Sequence, residues 1–237
     1  EKVVHLAARA GVRPSIADPA VYANTNVLGT VNLLQVSVEF NIKQFIFCSS
    51  SSVYGKSESV PFGENDPCLD IISPYGSSKR AAEFFAETFH RCFKLNVIIL
   101  RLFTVYGPRG RRDMAPFLFV NAVKNGKELV RFGDGSTSRD YTYITDTVDG
   151  IYKSLDAQIG FGIFNLGNSN PVSLTDFIEK IEKLTGKIAR IKKMPEQDGD
   201  VSKTWANNEK AKNVLQWQPR IDLDTGLKMY LDWLKSG

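Results

Sequence analysis

Tyr75 and Lys79 are the two residues whose types and spacing most directly suggest chemistry. They are four positions apart in a segment with helical apolar spacing, so both side chains lie on one helix face. A tyrosine with a pKa of about 10 is a poor base at neutral pH, and lowering that pKa by ~3 units requires ~4 kcal/mol. A neighbouring ammonium group provides such stabilisation, and the resulting phenolate removes a proton from a hydroxyl group. An isolated pair of this kind is more often a surface lysine beside a half-buried tyrosine.

A run of serines at 49–52 is the second candidate, because it ends an apolar strand predicted over 44–50. In open parallel sheets, ligands bind outside the carboxyl ends of the strands. Serine hydroxyls at that edge can donate hydrogen bonds to a sugar hydroxyl or a carboxylate. The alternative is a polar turn that satisfies its own backbone.

The elements that must position these residues alternate between strands and helices. Apolar runs predict strands over 3–7, 44–50 and 96–103, and helical apolar spacing predicts helices over 19–40 and 75–93. This alternation predicts an α/β fold with a parallel sheet. Farther along, the patterns predict helices over 116–124, 145–155, 173–184 and 224–234, and a strand over 129–132. We expect these shorter elements to form a cap on the sheet.

Composition favours an ordinary globular protein, with 43% hydrophobic and 24% charged residues in a chain of 237. The net charge of +4 mildly favours an anionic ligand, but the basic residues are scattered, so no nucleic-acid partner is expected. No apolar stretch approaches the roughly 20 residues that span a bilayer. Three cysteines without metal-ligand spacing predict no metal site and a reducing compartment, which we take to be the cytoplasm.

The order of these segments resembles the extended short-chain dehydrogenase family, and the match covers the whole chain. A strand ending in serines precedes the Tyr-x-x-x-Lys helix, and the next strand continues through RLFTVYGPR at 101–109. Further matching segments are HLAA at 5–8, NVLGT at 26–30, RDYTYI at 139–144 with Asp146, and FNLG at 164–167. The resemblance implies a Rossmann-like parallel sheet and a smaller C-terminal α/β substrate-binding cap. Residues 1–110 would form a partial dinucleotide-binding domain with the catalytic residues, and 111–237 mainly the cap, with the chain crossing between the two.

The same resemblance implies NAD as the cofactor and assigns roles to the catalytic residues. Ser50 would be the hydroxyl partner, with Ser51 and Ser52 as alternatives for that role. Tyr75 would act as base and acid, and Lys79 would tune Tyr75 and hold the nicotinamide ribose. The residues expected to line the cofactor are Leu6, Ala7, Ala8, Thr25, Tyr75 and Lys79.

A nucleotide-sugar epimerase is the favoured family member. Family dehydratases and decarboxylases carry an acidic residue two positions before a Tyr-Gly pair, whereas this sequence has Ser52 there. An epimerase needs only hydride removal, rotation of a keto intermediate and hydride return. The segments AGVR at 10–13 and RRDMA at 111–115 look most like UDP-glucuronate 4-epimerases. The expected reaction therefore converts UDP-glucuronate to UDP-galacturonate through a 4-keto intermediate.

The resemblance also implies which residues bind the charged sugar and the diphosphate of the substrate. Ser51, Ser52 and Thr104 would bind the sugar carboxylate, whereas relatives acting on neutral sugars often have Asn at the position of Thr104 and Arg at that of Gln197. Arg111 and Arg139 would bind the diphosphate, although a surface ion pair is the alternative for any one arginine. Phe132 and Asp200 match positions near the nucleoside. UDP-glucose and UDP-N-acetylglucosamine remain alternative substrates.

The Gly-rich turn through which the family binds its dinucleotide is not found in this sequence. The chain opens with what resembles the family's fourth strand, so we expect an N-terminally truncated sheet that binds NAD weakly or not at all. An inactive remnant that binds nucleotide sugars is therefore a competing hypothesis. A reductase of small carbonyl compounds shares the catalytic residues but leaves Arg111 and Arg139 unexplained. Family members pair helices like 19–40 and 75–93 across a two-fold axis, so we expect a homodimer.

Overall fold

The computed structural model describes residues 1–195 and 201–236. Its strands are β1 (Lys2–His5), β2 (Gln44–Ser50), β3 (Val97–Leu102), β4 (Thr104–Tyr106), β5 (Glu128–Phe132), β6 (Ser138–Tyr143), β7 (Phe161–Leu166), β8 (Pro171–Ser173) and β9 (Arg190–Met194). Its α-helices are α1 (Val12–Ala17), α2 (Pro19–Tyr22), α3 (Gly29–Glu39), α4 (Pro74–Phe93), α5 (Ala115–Lys124), α6 (Ile144–Asp156), α7 (Leu174–Thr185), α8 (Glu209–Val214) and α9 (Leu223–Ser236). A π-helical turn, Ala23–Leu28, joins α2 to α3, and a 3₁₀ turn, Ser51–Tyr54, follows β2.

A four-stranded parallel sheet in the order β1-β2-β3-β7 forms the centre of the fold. Every residue of β2 is buried, which is typical of a parallel strand covered on both faces. Register pairs Ser50 with Leu102 and His5 with Phe47, so the carboxyl ends of these strands meet at one edge. The predicted α/β class with a Rossmann-like parallel sheet is confirmed.

Apolar clusters cover both faces of this sheet. On one face, Leu34 of α3 and Ala82 of α4 pack with Phe45 and Phe47 of β2. On the other face, Trp217 packs with residues of the sheet strands and α8, among them Ile98, Leu100, Phe164 and Ala211. Burial of these side chains fixes α4 against the strand that ends in the serines.

A second apolar core lies outside the central sheet. It contains buried residues from α5, β6, α7 and α9, including Phe119, Tyr141, Phe177, Leu227 and Tyr230. Two smaller sheets accompany it, β4-β6-β8 and β5-β9. Strand β7 returns from this later part of the chain to the central sheet. A domain boundary at residue 110, with the chain crossing between 1–110 and 111–237, stays a prediction.

Several elements differ from the sequence-based expectations. The strand predicted over 3–7 ends at His5, so 6–8 lie beyond it at the ligand-binding edge. The helix predicted over 19–40 is interrupted by the π-helical turn. Strands β4, β6, β7, β8 and β9 were not predicted. Strands β4 and β8 have three residues each, β6 and β9 carry mainly polar side chains, and the apolar run of β7 is interrupted by Gly162 and Asn165.

Candidate active site

Helix α4 begins so that Tyr75 lies at the carboxyl edge of the sheet. Ser73 caps the helix, since its Oγ accepts a hydrogen bond from the Gly76 amide at 3.1 Å, and Pro74 occupies the first turn. The Tyr75 amide donates to Ser15 Oγ at 3.0 Å, which ties α4 to α1. The helix start that carries Tyr75 is therefore held from two sides.

The Tyr75 side chain lies close enough to Ser50 for the serine hydroxyl to act on the pKa of Tyr75. Ser50 Oγ also lies 3.2 Å from Ser52 Oγ and accepts from the Ser52 amide at 3.2 Å. Burial raises the pKa of Tyr75, whereas the Ser50 hydrogen bond and the positive charge of Arg111 act to lower it. Tyr75 is thus neutral at pH 7 in this state, and its ionisation depends on the positive charges that surround it.

Lys79 lies on the same helix face and reaches the end of β2. Its Nζ donates to the Cys48 carbonyl at 2.7 Å and lies 4.9 Å from the centroid of the Phe47 ring. Burial lowers the pKa of Lys79 to about 8, against a smaller raising effect of Cys48 and Glu83. The group is therefore mainly an ammonium at pH 7, and two of its three protons are available besides the one given to Cys48.

Four of the predicted substrate residues line one cleft. Ser51, Ser52, Thr104 and Arg139 surround a cavity of about 120 Å³ beside the catalytic pair. The other residues that line it include Val12, Phe62, Ser73, Val201 and Thr204. The cleft combines hydroxyl groups with one guanidinium, which suits an anionic, hydroxyl-rich ligand.

The remaining predicted substrate residues lie around this cleft or outside the described residues. Arg111 is paired with Asp113, since the Arg111 Nε donates to Asp113 Oδ1 at 3.0 Å. The positive charge of Arg111 also interacts electrostatically with Tyr75. Phe132 lies under the guanidinium of Arg13, 4.9 Å from the ring centroid. Asp200 lies outside the described residues, as does Gln197. The expected roles of Arg111 and Phe132 stay predictions.

The predicted cofactor residues form an uncovered surface just past β1. Leu6 is 58% exposed, and Ala7 and Thr25 are also exposed, while Ala8 is partly buried. An apolar side chain left open at the carboxyl end of a parallel strand fits a planar ligand placed over it. Lys79 ends at the same sheet edge. The role of these residues in binding the cofactor stays a prediction.

Asn26 is a supporting residue that the sequence did not single out as part of the site. It is 1% exposed and lies in the π-helical turn, a feature frequent at functional sites. Its Nδ2 donates to Ser78 Oγ and to the Arg9 carbonyl, both at 2.9 Å, and its Oδ1 accepts from the Arg9 amide at 2.8 Å. Asn26 thereby joins α4 to the segment after β1. The available signal was its place as the first residue of the NVLGT segment, which matches the family.

Within 1–195 and 201–236, there is no group of three or more His, Cys, Asp or Glu side chains that could hold a metal ion. In the same ranges, no helix has the length and apolar character needed to cross a membrane.

Known proteins resemble this chain over nearly its full length. The family model described as GDP-mannose 4,6 dehydratase matches residues 1–230. UDP-glucuronate 4-epimerase of Thermodesulfobacterium geofontis is 42% identical over 235 residues, covering 99% of this chain and 72% of that protein. UDP-glucuronic acid 4-epimerase from Bacillus cereus, solved in complex with UDP-glucuronic acid and NAD, has a TM-score of 0.93 and 37% identity, covering 99% of this chain and 75% of that one. UDP-glucose 4-epimerase from Thermotoga maritima, solved with UDP-glucose, has a TM-score of 0.93 and 33% identity, covering 100% and 77%.

Fold, site and similarity together define an enzyme of the short-chain dehydrogenase type, as the sequence predicted. The chain belongs to the family described as GDP-mannose 4,6 dehydratase. The similar proteins named above are 4-epimerases of UDP-sugars rather than dehydratases. Ser52, in place of the dehydratases' acidic residue, agrees with that distinction.

Proposed function

We propose that this protein catalyses the NAD-dependent epimerisation of a UDP-sugar at C4, converting UDP-glucuronate to UDP-galacturonate. The observation that carries the proposal is the place of one cavity, which is lined by Ser51, Thr104 and Arg139 and directly follows Ser50 along the chain. Tyr75 lies beside Ser50, whose hydroxyl acts on the pKa of Tyr75. In this proposal, the proton-transfer pair and the groups for an anionic sugar bind one ligand.

Tyr75 acts as the base for the sugar 4-hydroxyl in this proposal. Its phenolic oxygen takes the proton from the hydroxyl, and Ser50 holds that oxygen in place by the hydrogen bond between them. NAD, when bound, would supply the hydride acceptor for C4 and then the hydride donor for the opposite face of the 4-keto sugar. Tyr75 then gives its proton back to the oxygen at C4, so the enzyme ends the cycle unchanged.

Lys79 favours the ionised form of Tyr75 through its positive charge and holds the nicotinamide ribose through its remaining protons. Its bond to the Cys48 carbonyl fixes the ammonium at the carboxyl end of β2. The surface formed by Leu6, Ala7, Ala8 and Thr25 supports the cofactor on the same side.

The sugar carboxylate is the feature that selects UDP-glucuronate in this proposal. Ser51, Ser52 and Thr104 supply hydroxyl donors for it, and charge-assisted hydrogen bonds are about twice as strong as neutral ones. Arg139, together with Arg111, binds the diphosphate, while Phe132 contacts the nucleoside. A neutral UDP-sugar would leave the hydroxyl donors with a weaker acceptor.

A homodimer is the proposed assembly, formed by α3 and α4. Apolar side chains are exposed on these two helices, including Val36 at 47%, Phe84 at 54% and Phe85 at 42%, and Phe40 at 73% just after α3. Large exposed apolar surface of this kind is typical of an interface. We also propose a cytoplasmic location, which agrees with three unpaired cysteines.

The test is incubation of the protein with NAD and UDP-glucuronate, followed by chromatographic separation of the two 4-epimers. Formation of UDP-galacturonate supports the proposal. Turnover of UDP-glucose or UDP-N-acetylglucosamine, without turnover of UDP-glucuronate, would identify that neutral UDP-sugar as the substrate instead. Binding of UDP-sugars without any turnover would favour the inactive remnant. Reduction of small aldehydes by NADH without any binding of UDP would favour the carbonyl reductase.

A further inference from the structure

A buried polar layer lies directly beneath the serine run. Three of its members, Ser49, Arg101 and Asn165, are register partners on β2, β3 and β7, so they cross the sheet at one level. Arg101 and Asn165 are both 0% exposed, and Glu83 of α4, which completes the layer, is 1% exposed. The layer lies one residue before Ser50 along β2.

Glu83 is the acceptor at the centre of this layer. Its carboxylate accepts from Ser49 Oγ at 2.5 Å, from Arg101 Nε at 3.0 Å and Nη2 at 2.8 Å, and from Arg80 Nη1 at 2.9 Å. Glu83 follows Lys79 by four residues on the same helix face. One carboxylate therefore binds α4 to both β2 and β3.

The layer also holds the other end of the serine run. The guanidinium of Arg101 lies 4.8 Å from the centroid of the Tyr54 ring, and Tyr54 directly follows the serines and Val53. The Tyr54 hydroxyl donates to Asn165 Oδ1 at 2.7 Å. Ser49 and Tyr54 are thus fixed on the two sides of Ser50, and the 3₁₀ turn between them has little freedom to move.

We propose that Glu83 is a positioning residue that holds α4 against the serine run and thereby sets the contact between Ser50 and Tyr75 and the place of Lys79. A buried ion pair is weak evidence for stability, since apolar residues of similar volume often replace one without loss. Apolar replacements would not, however, hold the serine run in one geometry, as the hydrogen bonds of Glu83 do. This inference rests on the proposed function of the site.

The pKa of Lys79 can be measured to test the role of Glu83, because a purely structural role of Glu83 would not change it. The titratable groups that face Lys79 are His5 from β1, Cys48 from β2, and Tyr75 and Glu83 from α4. Glu83 supplies a negative charge one helical turn away, and it raises the pKa of Lys79 against the effect of burial. Removal of that charge should therefore make the ammonium more acidic.

The experiment compares Glu83→Gln with wild type in two measurements. Lysine-selective NMR titration without cofactor, with Lys79 assigned from Lys79→Met, should give a Lys79 pKa lower by about 0.5 unit or more. The kcat for epimerisation should fall at least ~10-fold with KM within ~2-fold, because the reacting groups are misplaced while the cleft remains. Glu83→Asp, which keeps the charge, should restore the Lys79 titration and part of kcat.

Glu87→Gln is the matched control on the same helix. Glu87 pairs with the exposed Arg91 four residues on, away from the serine run, so this variant should change neither the Lys79 titration nor kcat. Equal effects of Glu83→Gln and Glu87→Gln would contradict the inference.

A double variant separates positioning from loss of stability. Glu83→Leu with Arg101→Met removes both charges, and its melting temperature should exceed that of Glu83→Leu alone while kcat stays low. Recovery of kcat together with the melting temperature would overturn the inference, as would an unchanged Lys79 titration in Glu83→Gln. Absence of epimerisation in wild type overturns the proposed function instead, because the titration requires no substrate.

Discussion

The backbone of Gly76 packs directly against the carbonyl oxygen of Ser52. A Cβ atom at position 76 would lie 2.5 Å from that oxygen and 2.8 Å from Ile71 Cγ2, too close for any side chain. The first turn of α4 and the serine run therefore meet backbone to backbone. This contact brings Tyr75, the residue before Gly76 in the helix, to Ser50.

Gly76→Ala should separate the helix from the serine run. The methyl group has no free space, so the helix start must move and lengthen the contact between Tyr75 and Ser50. Small displacements of reacting groups can cost ~100-fold in rate, and we expect a kcat loss of that order. Gly63→Ala, where a Cβ meets nothing within 4 Å and the backbone is not left-handed, is the comparison for general effects of a glycine substitution. Equal kcat values for the two variants would contradict the proposed contact.

Tyr75→Phe should abolish proton transfer while leaving the fold intact. General acid–base groups contribute typically ~10²–10⁴-fold, so kcat should fall within that range or further. The melting temperature should change by no more than ~2 °C, because the variant loses a single hydroxyl group and keeps the aromatic ring. Tyr22→Phe removes the neighbouring phenol that donates to the Ala10 carbonyl and should retain most activity. A Tyr75→Phe enzyme with most of its kcat would refute the assignment of Tyr75 as base.

His5 should make the free energy of unfolding depend on pH. Burial, with a smaller effect of Lys79, lowers its pKa from 6.5 to about 4, and its Nε2 lies 2.9 Å from Thr30 Oγ1. Between pH 6.5 and pH 4, His5 is protonated in the unfolded chain and neutral in the folded chain. Acidification therefore favours the unfolded chain, and the stabilisation that neutral His5 provides above pH 6.5 is lost as the pH falls to 4. The expected loss between pH 7.5 and pH 5 is about 2 kcal/mol.

Urea unfolding at pH 7.5 and pH 5 measures this effect against His5→Gln, which keeps a hydrogen-bonding side chain without the titration. The wild-type protein should lose more stability than the variant on acidification, by about 2 kcal/mol. The same pH dependence in both proteins would show that His5 is not the responsible group.

Arg139→Gln should weaken binding of the nucleotide diphosphate. Arg139 lines the cleft beside Thr104, and hydrogen bonds to charged groups contribute about 1.5–3 kcal/mol, so the Kd for UDP should rise ~10- to 100-fold. Calorimetric titration with UDP measures this, with Arg91→Gln on the exposed side of α4 as the control. Unchanged UDP affinity in Arg139→Gln would remove Arg139 from the diphosphate site.

Local patterns in the sequence predicted the strands and the helix that carry the catalytic residues. The apolar runs at 44–50 and 96–103 and the helical spacing from Tyr75 onward correspond to β2, β3 and α4. Strand β6 was missed because its sequence is polar. Asp140 of this strand is buried. Its carboxylate accepts hydrogen bonds from the backbone amides of Asn168, Ser169 and Ala206, which are distant in sequence.

Those residues of the site that belong to short sequence motifs could be predicted. Residues that reach the site only through the packing of helices on the sheet could not. Ser50, Tyr75 and Lys79 follow from spacing and from resemblance to the family. The contacts of Asn26 with Ser78, and of Glu83 with β2 and β3, depend on how helices lie on the sheet. Such contacts join residues that are 18 to 52 positions apart, beyond the reach of local periodicity.

The proposed reaction is tested most directly by running it in D₂O with UDP-glucuronate and examining C4 of the product by mass spectrometry and NMR. Hydride removal and return at the same carbon predicts UDP-galacturonate with no deuterium at C4, since only the hydroxyl proton passes through Tyr75 and solvent. Deuterium on C4, or at the carbon beside the carboxylate, would mean that a C–H proton is removed by a base. That result would contradict the C4 hydride mechanism proposed for this site.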